Sequence, residues 1–236
     1  MSRKDVLTPQ TKAFFQRLET LAPKTARRVT GDSSGQSHEE VVEVKIRYKP
    51  VTWGFCLDEV IFSKWFIQFL RQQMMPWDSV VTAQSTYLPD ARNLVHRDFL
   101  KTENEYLVML DSDVIPPPDF LSRLLAHKLP MVGGWYRKKG VPYPPVVYDN
   151  EQPPNEKGII VYKVREVPGT GLEKVSAAGA GCWLMSREVA MAIGAHPFDM
   201  IHGGEDLELC RKVHAAGFDT WVDWSCACAH TGVAIV

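Results

Sequence analysis

The amino-acid sequence predicts an α/β fold built on a mainly parallel mixed sheet with helices on its faces. Two observations carry this. From residue 51 onward, short apolar runs alternate with longer stretches of helical periodicity, which is the pattern of βαβ units. The run Tyr-Leu-Val-Met-Leu at 106–110 is apolar almost throughout, as expected of a strand covered on both faces. Composition agrees. A chain of 236 residues with 45% hydrophobic and 23% charged residues has the ordinary globular mix and enough length for a large core. A disordered chain, a coiled coil and a collagen are excluded.

Taken in order, residues 51–55 form a short apolar strand candidate. Residues 57–75 carry apolar side chains on several faces and read as a buried helix. Residues 79–83 form a second strand, and 89–100 a helix with Pro89 in its first turn. The strand at 106–110 follows, then a helix at 117–127 and a strand at 131–135. The proline-rich stretch 140–171 reads as an irregular sheet or excursion rather than another βα unit. Regular structure resumes with a strand at 181–185, helices at 186–193 and 205–216, and late strands at 220–223 and 226–230. Two regions follow from this: a basic N-terminal arm and linker over 1–40, and one α/β domain over 41–236. Residues 1–30 hold seven Lys/Arg against two Asp/Glu, around a helical pattern of Phe14, Phe15, Leu18 and Leu21. Gly31 to Glu40 is rich in Gly, Ser and acidic residues and reads as the linker.

Charge and cysteine usage narrow the class further. A net charge of -1 argues against a wholly basic nucleic-acid binder. No apolar run reaches the ~20 residues of a membrane helix, and the N-terminus lacks the apolar core of a secretory signal. Five cysteines fit a reduced protein better than a disulfide framework. A cytoplasmic protein is therefore expected.

Four motifs carry candidate chemistry. Asp111-Ser112-Asp113 follows the strand at 106–110. In a continuing strand, aspartates two apart face the same way, at the end of a parallel sheet where ligands bind. Two carboxylates there make a hard oxygen site for Mg²⁺ or Mn²⁺; the plainer reading is an aspartate-rich turn. Gly203-Gly204-Glu205-Asp206 opens a helix. Glycines permit close backbone approach, and an adjacent carboxylate can act as general base toward an acceptor hydroxyl. The plainer reading is that acidic residues complement the helix dipole. Arg92 can clamp a diphosphate bidentately, or it is a solvated surface arginine. Cys226, Cys228 and His230 share a strand face. With Cys210 or His214 they make a zinc set, but Cys-x-x-Cys spacing is missing and a buried reduced strand is the favoured reading.

In this order the motifs resemble those of GT-A glycosyltransferases. The segment ARNLVHRDFLKTENEYLVMLDSDVIPPPDFLSRLL is similar to the core of family-2-type enzymes. GAGCWLMSREVAMAIG, followed by HGGEDLELCRKVHAAGFDTWVDWSCACAHTG, resembles their second half. Gly-Gly-Glu-Asp also resembles the motif of β-1,4-galactosyltransferases, and the compact chain resembles small phage-type nucleotide-sugar transferases. The resemblance spans residues 51–232. It implies a GT-A (Rossmann-like) fold and metal-dependent transfer from a nucleotide-diphosphate sugar, a UDP-sugar, with Mn²⁺ or Mg²⁺ as cofactor. Asp111 and Asp113 then match the family Asp-x-Asp, one on the metal and the other on the ribose or a metal-bound water. His230 completes the metal shell and tilts preference towards Mn²⁺. Arg92 lies at the diphosphate, Asp206 is the base with Glu205 beside it, and Thr52, Trp53 and Gly54 lie against the nucleotide base. The first strand departs from the family's Pro-x-Tyr/Phe entry, which leaves the identity of the base open.

The resulting expectation is an inverting hexosyl- or pentosyltransferase acting on an acceptor hydroxyl. The acceptor it points to is a hydroxymethylated base in phage DNA. The basic arm and Arg137, Lys138 and Lys139 would meet phosphates, Trp135 and Tyr136 would stack on an exposed base, and Gly203 and Gly204 would line the acceptor side. The plainer reading of the Arg-Lys-Lys run is a solvated loop. Two rivals remain. A nucleotidyltransferase would show a glycine-rich basic loop after its first strand, and WGFCLDE is a poor match. A non-catalytic nucleotide- or sugar-binding module is separated from an enzyme by turnover.

Overall fold

The computed structural model describes residues 26–31, 37–42, 49–56, 69, 73–75, 77–152, 155–156, 160–201 and 203–231. The helical pattern at 14–21 and most of the helix expected at 57–75 lie outside them. The chain divides into two units, one of Met1–Lys49 with Met75–Trp77 and one of Pro50–Met74 with Asp78–Val236. In the first, Ala26–Gly31 (β1) pairs antiparallel with Ser37–Val42 (β2), with Gly31 opposite Ser37. Residues 31 and 37–40 are thus strand, where the sequence predicts a linker.

The second unit begins with strands Val51–Cys56 (β3) and Ser79–Ala83 (β4), helix Leu88–Leu100 (α1) and strand Tyr106–Leu110 (β5). Next come Val114–Ile115 (β6), helix Phe120–Ala126 (α2) and strand Met131–Trp135 (β7). The excursion contributes Val147–Gln152 (β8), Val161–Val164 (β9), Leu172–Val175 (β10) and Ala177–Ala178 (β11). Cys182–Ser186 (β12) leads into helices Arg187–Ala192 (α3) and Glu205–Ala215 (α4), and Thr220–Ala227 (β13) and Ala229–His230 (β14) close the unit.

The central sheet has seven strands in the order β4-β3-β5-β12-β7-β13-β10. The pairs β3–β4, β3–β5 and β7–β13 are parallel, and β12 lies antiparallel between β5 and β7. Five strands therefore run one way, and only β12 and β10 are reversed. This is the mainly parallel mixed sheet that the sequence predicts. The proline-rich excursion supplies a separate three-stranded sheet, β11-β8-β9. The first late strand and the start of the second form one strand, β13, whose register against β7 shifts between Val222 and Ala227, and the end of the second forms β14. That irregularity is what the sequence reading takes for a break.

Helix α1 positions the site, and it is buried on two faces. Ala91, Val95 and Phe99 recur every four residues and join the core, as an amphipathic stripe does. The close approach of α1 to β3 depends on Gly54, where a Cβ would come within 2.4 Å of Val95. The second buried face is polar: Arg92, Asn93 and His96. The Asn93 side chain donates to the Phe198 carbonyl at 2.9 Å and accepts from the Phe198 N–H at 3.1 Å, holding the segment that leads into α4. Arg187 caps the other end, donating to the carbonyls of Phe99, Leu100, Thr102 and Asn104. These carbonyls belong to the helix end and its following turn, where intrahelical partners run out.

His96 Nε2 lies 3.2 Å from the Ala190 carbonyl and 3.0 Å from that of Gly194. Burial disfavours the imidazolium and lowers its pKa to about 4, although both carbonyls act in the opposite sense. The unfolded chain titrates near 6.5, so between pH 6.5 and 4 it takes up a proton that the folded protein refuses. His96 therefore costs stability as pH falls, by up to ~1.4 kcal/mol per pH unit. In urea denaturation series, the wild type should lose about 3 kcal/mol over this range relative to His96→Gln. A constant difference between the two proteins would show that His96 titrates normally.

Candidate functional site

The open end of the parallel strands gathers the charged residues. At the tip of β5 the strand stops, because the Val114 N–H turns back to the Asp111 carbonyl at 3.1 Å. The alternation of a strand therefore does not continue through Asp111-Ser112-Asp113, and the two aspartates face different partners. This corrects the expectation that they act side by side.

Asp111 turns inward. Arg92 Nη2 donates to both of its oxygens, at 3.2 and 3.1 Å. Arg92 Nη1 donates to Asp206, and lies 3.7 Å from Glu205. The Arg92 side chain is only 3% exposed. It is neither a solvated arginine nor free to clamp a diphosphate, since its two terminal nitrogens are committed to three carboxylates. Burial alone would lower its pKa, but Asp111, Asp206 and Glu205 raise it well above the usual value. Burial pushes the pKa values of Asp111 and Asp206 up, with Arg92 opposing the rise. The Cys56 thiol, at the end of β3, adjoins the same guanidinium and is raised by burial to about 12.

Asp113 turns outward. Lys139 Nζ lies 2.6 Å from its Oδ2, and His230 Nε2 lies 3.2 Å from the same oxygen. Burial would raise the Asp113 pKa, but the hydrogen bonds from His230 and Lys139 bring it down to about 2. Burial would lower that of His230, but Asp113 and the Arg137 carbonyl raise it. His230 Nδ1 is 2.8 Å from that carbonyl. The strand pair β14–β6 delivers His230 opposite Val114, and Thr231 donates to the Asp113 carbonyl through its N–H at 2.8 Å and its hydroxyl at 3.0 Å.

Glu205 and Asp206 open α4, capped by Gly204 without a side-chain hydrogen bond. Gly203 has φ +89°, a left-handed conformation that favours glycine, while Gly204 is in extended backbone. The Ala180 N–H holds Asp206 from the β12 side. Beside it, the Gly181 N–H donates to the Tyr136 hydroxyl at 3.2 Å. A Cβ at Gly179 would approach that hydroxyl to 2.3 Å, so the glycines at 179 and 181 admit the Tyr136 ring between this crossing and His230.

Several expected roles move. Thr52 and Trp53 are fully buried. Thr52 bonds Ser79 and Asn104 at the starting end of the parallel strands, and Trp53 Nε1 donates to Asp78 at 3.0 Å. Gly54 serves the packing of α1. None of the three has a surface for a nucleotide base, because the ligand end of β3 is Cys56. Tyr136 is buried and cannot stack on an extruded base. One face of Trp135 carries the Arg137 guanidinium at 5.6 Å, and Trp224 packs at 5.6 Å. Arg137 also donates to the Tyr143 carbonyl at 2.8 Å. With Lys139 on Asp113, the three basic residues do not form a row; Lys138 has no side-chain partner among the described residues. Cys226 and Cys228 are buried beside Cys182. Among the described residues no three His, Cys, Asp or Glu side chains form a metal-binding group. The zinc reading therefore gives way to buried thiols.

Comparison with known proteins places this geometry. No family model matches the chain, and no curated protein matches it in sequence. Solved structures do match. A197 from STIV superposes with a TM-score of 0.59 at 18% identity, over 77% of this chain and 85% of that one. GalNAc-T7, solved with UDP, GalNAc and Mn²⁺, superposes with a TM-score of 0.53 at 12% identity, over 95% of this chain. The chain has a GT-A fold. It spans about half of GalNAc-T7, 53% of that chain. Among the described residues no helix is long and apolar enough to cross a membrane.

Cys56 and Gly181 are neighbours of the site that the motifs do not reveal, and Tyr136 and Lys139, expected on the acceptor side, adjoin it in other roles. Only the paired glycines at 179 and 181 carry a sequence signal, that of close backbone approach.

Removing the Arg92 charge leaves three carboxylates facing one another in a buried corner. Breaking a buried ion pair by deleting one partner typically costs about 3–5 kcal/mol. Arg92→Met should fall in or above that range by urea denaturation, and Arg92→Lys, which keeps the charge and loses the fork, should fall between it and the wild type. An Arg92→Met protein of unchanged stability would mean that the carboxylates are not held charged.

Proposed function

We propose that the chain is a glycosyltransferase that moves a sugar from a nucleotide-diphosphate sugar, a UDP-sugar, to an acceptor hydroxyl, with Mn²⁺ or Mg²⁺ held by Asp113 and His230. The observation that carries this reading is the charge balance at the open end of the sheet. Asp111, Glu205 and Asp206 surround a single guanidinium, and Asp113 beside them meets Lys139 and His230. A corner so rich in carboxylates repels a bare diphosphate and receives it together with a cation. The GT-A fold, and a structural neighbour solved with UDP, GalNAc and Mn²⁺, support the same reading.

The donor set fits a divalent ion. Asp113 offers a hard oxygen and His230 an imidazole nitrogen, and the two already meet at one point. With His230 Nδ1–H donating to the Arg137 carbonyl, loss of the Nε2 proton that faces Asp113 would free that lone pair for the metal. A metal bound there would offset the charge that grows on the nucleoside diphosphate as the glycosidic bond breaks. Asp111, fixed by Arg92, is left to accept from a ribose hydroxyl or a metal-bound water. Asp206 takes the acceptor proton. Its burial raises its proton affinity towards that task, and Arg92 opposes that rise. Glu205, held more loosely at 3.7 Å from the same guanidinium, orients the acceptor. A base on the side opposite the leaving group inverts the anomeric centre.

The test is release of free nucleoside diphosphate from a panel of nucleotide sugars with Mn²⁺, which EDTA should abolish. Asp206→Asn should lower the rate by ~10²–10⁴ while donor binding persists. If Glu205→Gln is inactive and Asp206→Asn is not, the two roles exchange. A product that retains the donor's anomeric configuration would remove Asp206 from the role of base, whatever the rates.

A further inference from the structure

We infer that Lys139 is an internal cation on Asp113 which an incoming divalent metal displaces, and that Lys139 thereby sets the metal affinity of the site. The inference rests on the reading of Asp113 and His230 as the metal-binding pair. Lys139 Nζ and His230 Nε2 both converge on Asp113 Oδ2, at 2.6 and 3.2 Å. The ammonium thus stands on the oxygen that a metal shared with His230 would use. A divalent ion on that oxygen would be repelled by the ammonium a few ångströms away, so the two cations compete for it.

The surroundings hold the loop while leaving the lysine head free to leave. Lys139 sits on the turn after β7, and both sides of that turn are tied. The Lys138 N–H donates to the Pro144 carbonyl at 2.8 Å, and the Tyr143 N–H to the Gly140 carbonyl at 2.8 Å. Arg137 is anchored by its guanidinium on the Tyr143 carbonyl and by its own carbonyl on His230. The Lys139 side chain, by contrast, is 52% exposed. Its flexible stem can swing the ammonium into solvent by rotamer change alone. Arg92 offers the opposite case: buried, forked and bonded to three carboxylates, it cannot be exchanged. The inner carboxylates thus have a permanent counter-ion and Asp113 a removable one.

Exposed ion pairs are weak, worth well under a factor of ten in most cases, so displacement by a divalent ion is feasible and the competition is measurable. The experiment is titration of the full chain with Mn²⁺ alone, without donor, followed by electron paramagnetic resonance of free Mn²⁺. Lys139→Met and Lys139→Gln should each bind Mn²⁺ about three- to tenfold more tightly than the wild type, and Lys139→Arg about as the wild type does. Raising salt should narrow the difference. Unchanged or weaker Mn²⁺ binding by both neutral variants overturns the inference. Asp113→Asn, in the same titration, separates this result from failure of the underlying reading. If Asp113→Asn loses Mn²⁺ while the lysine variants match the wild type, only the role of Lys139 is wrong. If Asp113→Asn binds Mn²⁺ as the wild type does, the metal assignment fails and Lys139 falls with it.

Discussion

Arg92, itself almost fully buried, faces three partly exposed carboxylates, and the architecture around it follows from keeping that group charged and fixed. A buried guanidinium is costly unless its donors are met, and here its terminal nitrogens are met by residues from three separate elements. Asp111 ends β5, Glu205 and Asp206 begin α4, and Arg92 itself projects from α1. The ion cluster therefore ties the tip of a central strand to the start of a distant helix. Contacts spanning up to 114 residues of chain meet at one side chain.

Such a cluster demands a rigid setting, and the second buried face of α1 supplies it. One helical turn along from Arg92, His96 bonds the carbonyls that follow α3. Asn93 clamps the Phe198 backbone as a neighbouring strand would. These bonds hold the segment between α3 and α4, and so fix where α4 begins. The antiparallel strand β12 contributes from the other side. Inserted between β5 and β7, it brings the crossing at 179–181 against Asp111, whose N–H donates to the Gly181 carbonyl at 3.0 Å. A sheet of uniformly parallel strands would leave that position to a helix connection.

Much of this was legible in the sequence, and the exceptions share a cause. The apolar runs at 51–55, 79–83, 106–110 and 131–135 announce strands because their periodicity is local. Asp113, His230, Glu205 and Asp206 stand out as candidates because each lies at an element end with a short motif. What periodicity cannot show is direction. Thr52 and Trp53 belong to the right strand but sit near its starting end, where they bond Ser79, Asn104 and Asp78. Asp111 and Asp113 diverge because a single turn hydrogen bond interrupts the pleat. Arg92 and Lys139 look alike in sequence, two basic residues among polar neighbours. Only long-range packing makes one a buried hub and the other an exposed arm.

The contrast between those two cations orders the site. Arg92 neutralises its carboxylates without exchanging, so it gives shape and contributes no vacancy for a ligand. Asp113 stands one turn of backbone away and is met by groups that can each let go: Lys139 by rotation, His230 by loss of a proton. Neutralising both clusters with buried arginines would have left no exchangeable charge at the open end of the sheet. Leaving both open would have placed four carboxylates in mutual repulsion and raised their pKa values until they were protonated and useless as ligands. A fixed inner counter-ion beside an exchangeable outer one avoids both outcomes. It keeps the inner carboxylates aligned while confining the variable charge to the Asp113 oxygen that Lys139 and His230 share.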